Sequence, residues 1–188
     1  DIDIGTALKE ITSNPHIGDV LAFDLLDGHR IECAVTDIDD KAIRFDSVDC
    51  LGDDMTYGKV EKWLDRINHL LPDELRKAII DTERKHTING KKISRLERLF
   101  LPAMSELFSG DSVLSDEDLY KQMDWYKDRR HRMKMYEHNG DSTAYWTSSQ
   151  RSGNSSAFCY VSANGHASSD NASFAWLSAP VCFRVRKS

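Results

Sequence analysis

The chain has 188 residues, 40% of them hydrophobic and 30% charged, which is enough for one ordinary domain with a sizeable core. Its formal net charge of -6 excludes a general nucleic-acid binder, which needs a basic footprint, and no apolar run approaches membrane-spanning length. The four cysteines, Cys33, Cys50, Cys159 and Cys182, stand far apart with no Cys-x-x-Cys pair, so zinc-ribbon and thioredoxin-like motifs are excluded and free, buried thiols are expected.

The first residues, Asp1-Ile2-Asp3-Ile4, have neither a basic n-region nor an apolar h-region, and without an initiator Met this end is expected to be trimmed or excised. Residues 1–17 are expected to form an N-terminal helix or linker, with Ile4, Leu8 and Ile11 on one face and an end before Pro15. From Gly18 three short runs, Val20 to Leu25, Arg30 to Thr36 and Ala42 to Asp46, alternate with Asp27-Gly28 and Asp39-Asp40 and predict an antiparallel meander. In the third run Ile43 and Phe45 alternate with Arg44 and Asp46, which predicts one buried face. The acidic group Asp37, Asp39 and Asp40 fits turn chemistry better than a calcium loop.

Gly52 to Gly58 reads as a loop. Val60, Trp63, Leu64, Ile67, Leu70 and Leu71 follow helical spacing, with Lys62, Asp65 and Arg66 on the outside and Trp63 as a core anchor. Pro72 opens a second short helix with Leu75, Ala78 and Ile79 inward. Beyond Asp81 the chain is polar, with a turn at Asn89-Gly90. A brief strand is expected at Leu99 to Leu101 and a helical turn or two at Pro102 to Phe108. Ser115-Asp116-Glu117-Asp118 reads as an N-cap whose helix runs to roughly Asp128. The basic run Lys127 to Lys134 lacks interleaved aromatics, so its stems are expected to pack on the domain and its charges to pair with local carboxylates.

The last part, Ala144 to Val185, differs in composition: Ser, Asn, Ala and Gly dominate, Lys and Glu are absent, and aromatics sit singly among small polar residues. Between Phe158 and Ser168, alternation puts Cys159 and Val161 on one face and Phe158, Tyr160 and Ser162 on the other. A three-residue loop at Ala163-Asn164-Gly165, with Gly165 left-handed, pairs Ser162 with His166 and keeps Val161 with Ala167. It leaves Phe158, Tyr160, Ser162, His166 and Ser168 in one row, rigid aromatics among small hydrogen-bonding residues, a composition suited to an adaptable binding surface. The alternative is that the two rings cover a second core layer. With a binding surface, changing both rings to Ala should abolish binding and leave thermal stability nearly unchanged. No repeat is visible, and the order of elements is α+β rather than alternating βαβ.

Several segments together resemble a family of bacterial and phage-associated domains, domain of unknown function 6273, with a C-type-lectin-like fold. They are Phe45-Asp46-Ser47-Val48-Asp49-Cys50-Leu51, the Val60 to Leu71 helix, Arg98-Leu99-Phe100-Leu101-Pro102, Tyr126 to Lys134, Ala144-Tyr145-Trp146-Thr147-Ser148-Ser149 and Val181-Cys182-Phe183-Arg184-Val185. The resemblance implies a single domain over residues 18–188, mixed or antiparallel sheets with two or more helices, N- and C-terminal strands near one another, and a ligand-presenting region at about 144–185. Similar members include the variable proteins of diversity-generating retroelements, whose C-terminal codons are rewritten at adenines on a fixed scaffold. Rewriting an AAC codon yields Phe, Tyr, Ser, His, Asp or Ala but never Trp or Gln. Trp146, Gln150 and Trp176 are therefore expected to be scaffold or unmutated contacts, and Asp170 and Phe174 to be open to diversification.

The ligand-binding residues expected from this resemblance and from the strand pattern are Arg151, Asn154, Ser156, Phe158, Tyr160, Ser162, His166, Ser168, Asp170, Phe174 and Trp176. The partner is expected to be a macromolecule, a protein at a cell or virion surface, with no nucleic acid, no membrane insertion, no cofactor and no metal; the oligomeric state is open. The calcium-dependent sugar motifs of lectins are missing. The related formylglycine-generating enzymes use a cysteine pair with copper, and a copper oxidoreductase of that type is the competing function; a structural tail or adhesion subunit is a third. Enzyme candidates would be Cys159 or Cys182 with His166 and Asp170. A metal site would draw on His131, His138 and Asp141, though without the usual zinc spacing.

Overall fold

Short strands and amphipathic helices assemble into two five-stranded sheets in a computed structural model that describes residues 3–115, 119–137 and 140–188. The first helix, α1 (Ile4–Ser13), is capped by Asp3, whose carboxylate accepts from Thr6 N at 2.9 Å. The meander follows as β1 (Val20–Asp24), β2 (Arg30–Ile38) and β3 (Ala42–Ser47), and the Asp39 carboxylate accepts from Lys41 N and Ala42 N to close its second turn. After β4 (Leu51–Met55) and a 3₁₀ turn at Tyr57–Lys59 come α2 (Val60–Leu70), α3 (Asp73–Ala78) and β5 (Ile79–Ile80). A hairpin of β6 (Thr82–Ile88) and β7 (Lys91–Glu97) turns at Asn89 and Gly90, with φ 51° and 78°. The rest is α4 (Met104–Leu107), a 3₁₀ turn at Gly110–Val113, α5 (Asp124–Lys127), α6 (Arg129–Arg132), β8 (Lys134–Met135), β9 (Ser142–Thr143), β10 (Tyr145–Gln150), β11 (Ala157–Val161), β12 (Ala167–Asn171), β13 (Leu177–Ala179) and β14 (Cys182–Arg186).

The first sheet has the order β1-β2-β3-β14-β5 and is antiparallel throughout. The second runs β12-β11-β10-β13-β4, with β10 and β13 parallel. The fold class is α+β. Helices α1, α2 and α3 cover the first sheet through Leu8, Ile67, Leu71 and Leu75, packed with Leu21, Phe23, Phe45 and Phe183. The second sheet is packed on both faces. Tyr145, Cys159 and Val161 meet Met104, Leu107 and Tyr126 on one side, while Trp146 and Leu177 meet Met55, Val60 and Leu101 on the other. No described helix is long and apolar enough to cross a membrane.

Four local expectations change. The loop expected from Gly52 begins as β4, because its backbone finds a partner in β13, and Gly52 (φ +66°) makes room for Trp63, whose indole Nε1 would lie 2.8 Å from an added Cβ. The strand at Leu99 to Leu101 reduces to one bridge between Phe100 and Cys182. The N-cap at Ser115-Asp116-Glu117-Asp118 falls largely outside the described residues. The helix drawn through to Asp128 is shorter, since Met123 is extended and helix begins only at Asp124; Asp128 then ends it and caps α6 by accepting from Arg130 N at 2.9 Å. In the last region, Cys182–Arg186 lies inside the first sheet rather than in the presenting one.

The largest change concerns β3, every residue of which is buried. Its second face carries Arg44 and Asp46, 5% and 1% exposed, where alternation predicted solvent. Arg44 Nε donates to Asp46 Oδ1 at 2.7 Å and Arg44 Nη1 donates to Glu106 Oε2. Arg84 of β6 completes a two-pronged pair with Glu106 and also donates to Leu101 O. The Phe100 ring lies against both guanidiniums, 4.3 Å from Arg84 and 5.2 Å from Arg44. Asp46 also accepts from the Tyr126 hydroxyl at 2.5 Å and from Thr36 at 3.1 Å. Burial alone would raise the Glu106 carboxyl, but the charges of Arg44 and Arg84 outweigh it and hold it at about 2, against an ordinary 4.5.

A carboxylate held low in the folded state stabilises it above its unfolded value and loses that contribution as the pH falls. Urea titrations of the wild type should therefore show stability dropping from about pH 4.5 toward 2, the interval set by Glu106. Glu106→Gln leaves two buried guanidiniums under-neutralised and should cost about 3 to 5 kcal/mol at neutral pH, with a flatter acid limb.

Candidate functional site

The hairpin of β11 and β12 has the register that alternation and the turn residues predict. Phe158 faces Asp170 and Tyr160 faces Ser168, while Val161 faces Ala167. Ser162 N donates to His166 O at 2.8 Å and Gly165 N to Ser162 O at 2.9 Å, so Ala163, Asn164 and left-handed Gly165 (φ +79°) form the loop. One face of the hairpin thus carries Phe158, Tyr160, Ser162, His166, Ser168 and Asp170 together. Cys159 and Val161, on the other face, are fully buried.

The row is not uniformly open. Phe158 stacks on Tyr57 at 3.6 Å between ring centroids, and Trp146, wholly buried, meets Tyr57 and Tyr160 edge-on at 5.8 and 6.2 Å. Phe158, Tyr160 and Phe174 are half-buried against the Trp146 cluster, so both earlier alternatives hold in part: the rings cover a core layer and still show an edge. The expectation that losing both rings leaves stability unchanged is withdrawn on this packing. Tyr57 carried no sequence signal beyond its aromatic character, because the stack joins residues a hundred positions apart.

Two further groups complete the predicted set. Phe174 and Trp176 lie 6.1 Å apart between rings at the end of the sheet, and Trp176 is 79% exposed. That exposure removes the scaffold role left open for Trp176, whereas Trp146 fills it, its indole donating to Met55 O at 2.9 Å. Arg151, Asn154 and Ser156 sit apart from the row, in the loop between β10 and β11; Arg151 and Asn154 face the tip of the β6–β7 hairpin, and Ser156 O accepts from Ala172 N at 2.8 Å. Gln150 ties that loop to the hairpin: its carbonyl accepts from Asn89 N and its amide donates to Ser155 O, each at 2.8 Å.

Other segments of the resemblance turn out to position this surface. Arg129 donates to Asn164 O and Arg132 to Gly165 O, both at 3.1 Å, so the basic run grips the β11–β12 loop from below. Arg130 and Lys127 pair with Asp128 and Asp124 as expected, but Arg129, Arg132 and the buried Lys134 spend their protons on backbone carbonyls instead. Ser148 N donates to Pro102 O and Ser149 Oγ accepts from Met104 N, both at 2.9 Å, which docks the irregular strand β10 on the Leu101-Pro102 segment.

The enzyme constellation is not assembled. His166 and Asp170 lie on the hairpin face opposite Cys159, and Cys182 belongs to the other sheet. All four cysteines are free and buried, and burial, joined by the Asp46 charge, pushes the Cys182 thiol far above its ordinary range. Of the metal candidates, His138 lies outside the described residues. His131 stacks on Trp125 at 3.6 Å, with its Nδ1 2.7 Å from Trp125 O. Among the described residues no group of three or more His, Cys, Asp or Glu is placed to hold a metal ion.

An α+β domain with a two-sided second sheet is thus the class of structure that carries this surface. A family model described as Domain of unknown function (DUF6273) matches residues 55–187, and the chain belongs to that family. The match begins after the β1–β3 meander, so the Phe45 to Leu51 segment lies outside it. No curated protein and no solved structure matches the chain.

Two substitutions check the geometry. Gly165→Ala puts a Cβ 3.0 Å from side-chain atoms of Arg129 and Met133 in a left-handed conformation, and should cost about 2 kcal/mol in urea unfolding. Phe158→Ala should cost a similar amount, about 2 kcal/mol, because it empties half a stack on Tyr57.

Proposed function

We propose that this chain is a binding module of C-type-lectin-like type, related to the variable proteins of diversity-generating retroelements, whose C-terminal surface engages a protein at a cell or virion surface. The observation that carries it is Trp176: a large ring, 79% exposed, beside Phe174 at the end of an ordered sheet. Leaving such a ring in water forgoes burial worth about 2 kcal/mol or more, and rings of this kind are the commonest anchors of protein interfaces. Around it the half-open Tyr160 and the Ser162, His166, Ser168 and Asp170 side chains offer adaptable hydrogen bonds on a backbone braced by Arg129 and Arg132. The lectin-like relationship draws support from the pairing of β3 with the last strand and from Ser188, whose N–H donates to Thr12 O of α1 at 3.2 Å.

A surface-protein display screen with the wild type as bait should return a partner whose capture falls at least about tenfold with Trp176→Ala, while the melting temperature moves by no more than about 2 °C. A partner indifferent to Trp176 would refute the proposal. A self-associated wild type that Trp176→Ala renders monomeric in light scattering would instead assign the surface to assembly. At the gene, a nearby repeat of the segment for residues 144–185 that differs only at adenines is the expected mark of diversification.

A further inference from the structure

A polar cleft of about 310 Å³ opens between the β6–β7 hairpin tip and the β10–β11 loop, with Thr87, Asn89 and Gly90 on one side and Arg151, Asn154 and Ser155 on the other. Besides the Thr87 and Ser155 hydroxyls, which can donate or accept, its side-chain groups are mainly donors. Gln150 is oriented by Asn89 N, a donor that fixes which end is the carbonyl; its amide then donates to Ser155 O at 2.8 Å and to Asn89 Oδ1 at 3.3 Å. Asn154 is oriented in the same way, its Oδ1 accepting from Ser156 N at 3.0 Å. The carbonyl ends of both asparagines are therefore occupied by the protein, and their NH₂ groups are left over. Neither NH₂ group, nor the Arg151 guanidinium, meets an acceptor among the described residues.

Among the described residues no acidic side chain lines the cleft, and Arg151 is its one cationic lining residue. A site that offers a guanidinium and two amide donors, with each asparagine carbonyl already turned to the protein by one hydrogen bond, favours a group that accepts. A single planar fork with flat amides beside it matches a carboxylate; phosphate sites gather several cations or a nest of backbone N–H groups. The adjoining hairpin exposes Lys85, Lys91, Lys92 and Arg95, a cationic element on a chain whose net charge is -6, and this favours approach of an acidic group.

We propose that this cleft is a carboxylate-recognition subsite, where an acidic side chain of the partner pairs with Arg151 between the amides of Asn89 and Asn154. Only the source of the carboxylate rests on the binding-module proposal; the affinity of the cleft for the group does not. Arg151 is half-buried and supports no other residue through its side chain, so its replacement leaves the fold intact.

The test is a ¹⁵N-resolved NMR titration of the whole chain with N-acetyl-aspartate amide, with inorganic phosphate, and with sodium chloride at matched ionic strength. The aspartate probe should give saturable shifts confined to the amides of Gly90, Gly153 and Asn154 and the side-chain NH₂ groups of Asn89 and Asn154. Arg151→Gln should weaken the probe by about tenfold with an unchanged melting temperature, and Trp176→Ala should bind it as the wild type does. Shifts reproduced by chloride, shifts that persist in Arg151→Gln, or tighter binding of phosphate than of the aspartate probe would each overturn the proposal. Because Trp176→Ala retains the cleft, a failed partner screen and a failed titration are separate results.

Discussion

Arg44, Asp46, Arg84 and Glu106 are buried together, and they come from three separate stretches of chain. Arg44 and Asp46 stand on β3 in the first sheet, Arg84 on the β6–β7 hairpin, and Glu106 on α4 beneath the second sheet. Taking any of these charges out of water is costly alone, and the cost is offset only when the others are in place. The network therefore makes the docking of three parts of the fold mutually conditional. Tyr126 extends it by donating to Asp46, and the Tyr126 to Lys134 segment that follows holds the β11–β12 loop.

From that junction the candidate surface is reached in two steps. Lys134 is buried with its ammonium on Ser47 O, 2.6 Å away, which fixes the basic segment to the end of β3. Arg129 and Arg132, on the short helix just before it, then reach the carbonyls of Asn164 and Gly165. The outermost hairpin of the second sheet, whose β12 is the edge strand among the described residues, is thus steadied from its loop as well as from β11. Support grades across the sheet: Trp146 is sealed, Phe158 and Tyr160 are half-covered, and Trp176 stands in water. A surface graded in this way combines rigid anchors with side chains free to choose their hydrogen bonds.

Where local chemistry decides conformation, the residues were sufficient. Ala163-Asn164-Gly165 allowed a two-residue turn or a three-residue loop with Gly165 left-handed; the preferred three-residue loop is the one formed, and it sets the register of Phe158, Tyr160, Ser162 and His166. The helices α2 and α3 and the meander were legible for the same reason, through apolar spacing and turn residues. Legibility failed where a residue's setting came from distant chain. Polar Arg44 and Asp46 alternate with Ile43 and Phe45 just as a solvent face would, and nothing nearby announces that Glu106 and Tyr126 will cover them. Gly52 to Met55 reads as a loop until β13 arrives to pair with it.

The sequence by itself determined an α+β chain, a family membership, and a C-terminal hairpin with aromatics and small polar residues on one face. The fold class and the hairpin depend on interactions within a few residues, and the family on a match that runs along residues 55–187. Only the tertiary structure decided how open that face is, since Tyr57 and Trp146 come from elsewhere to cover Phe158 and Tyr160 but leave Trp176 bare. It alone also brought Arg151 opposite Asn89, sixty-two positions away, because burial and long-range pairing depend on what the rest of the chain supplies, and local periodicity carries no record of that.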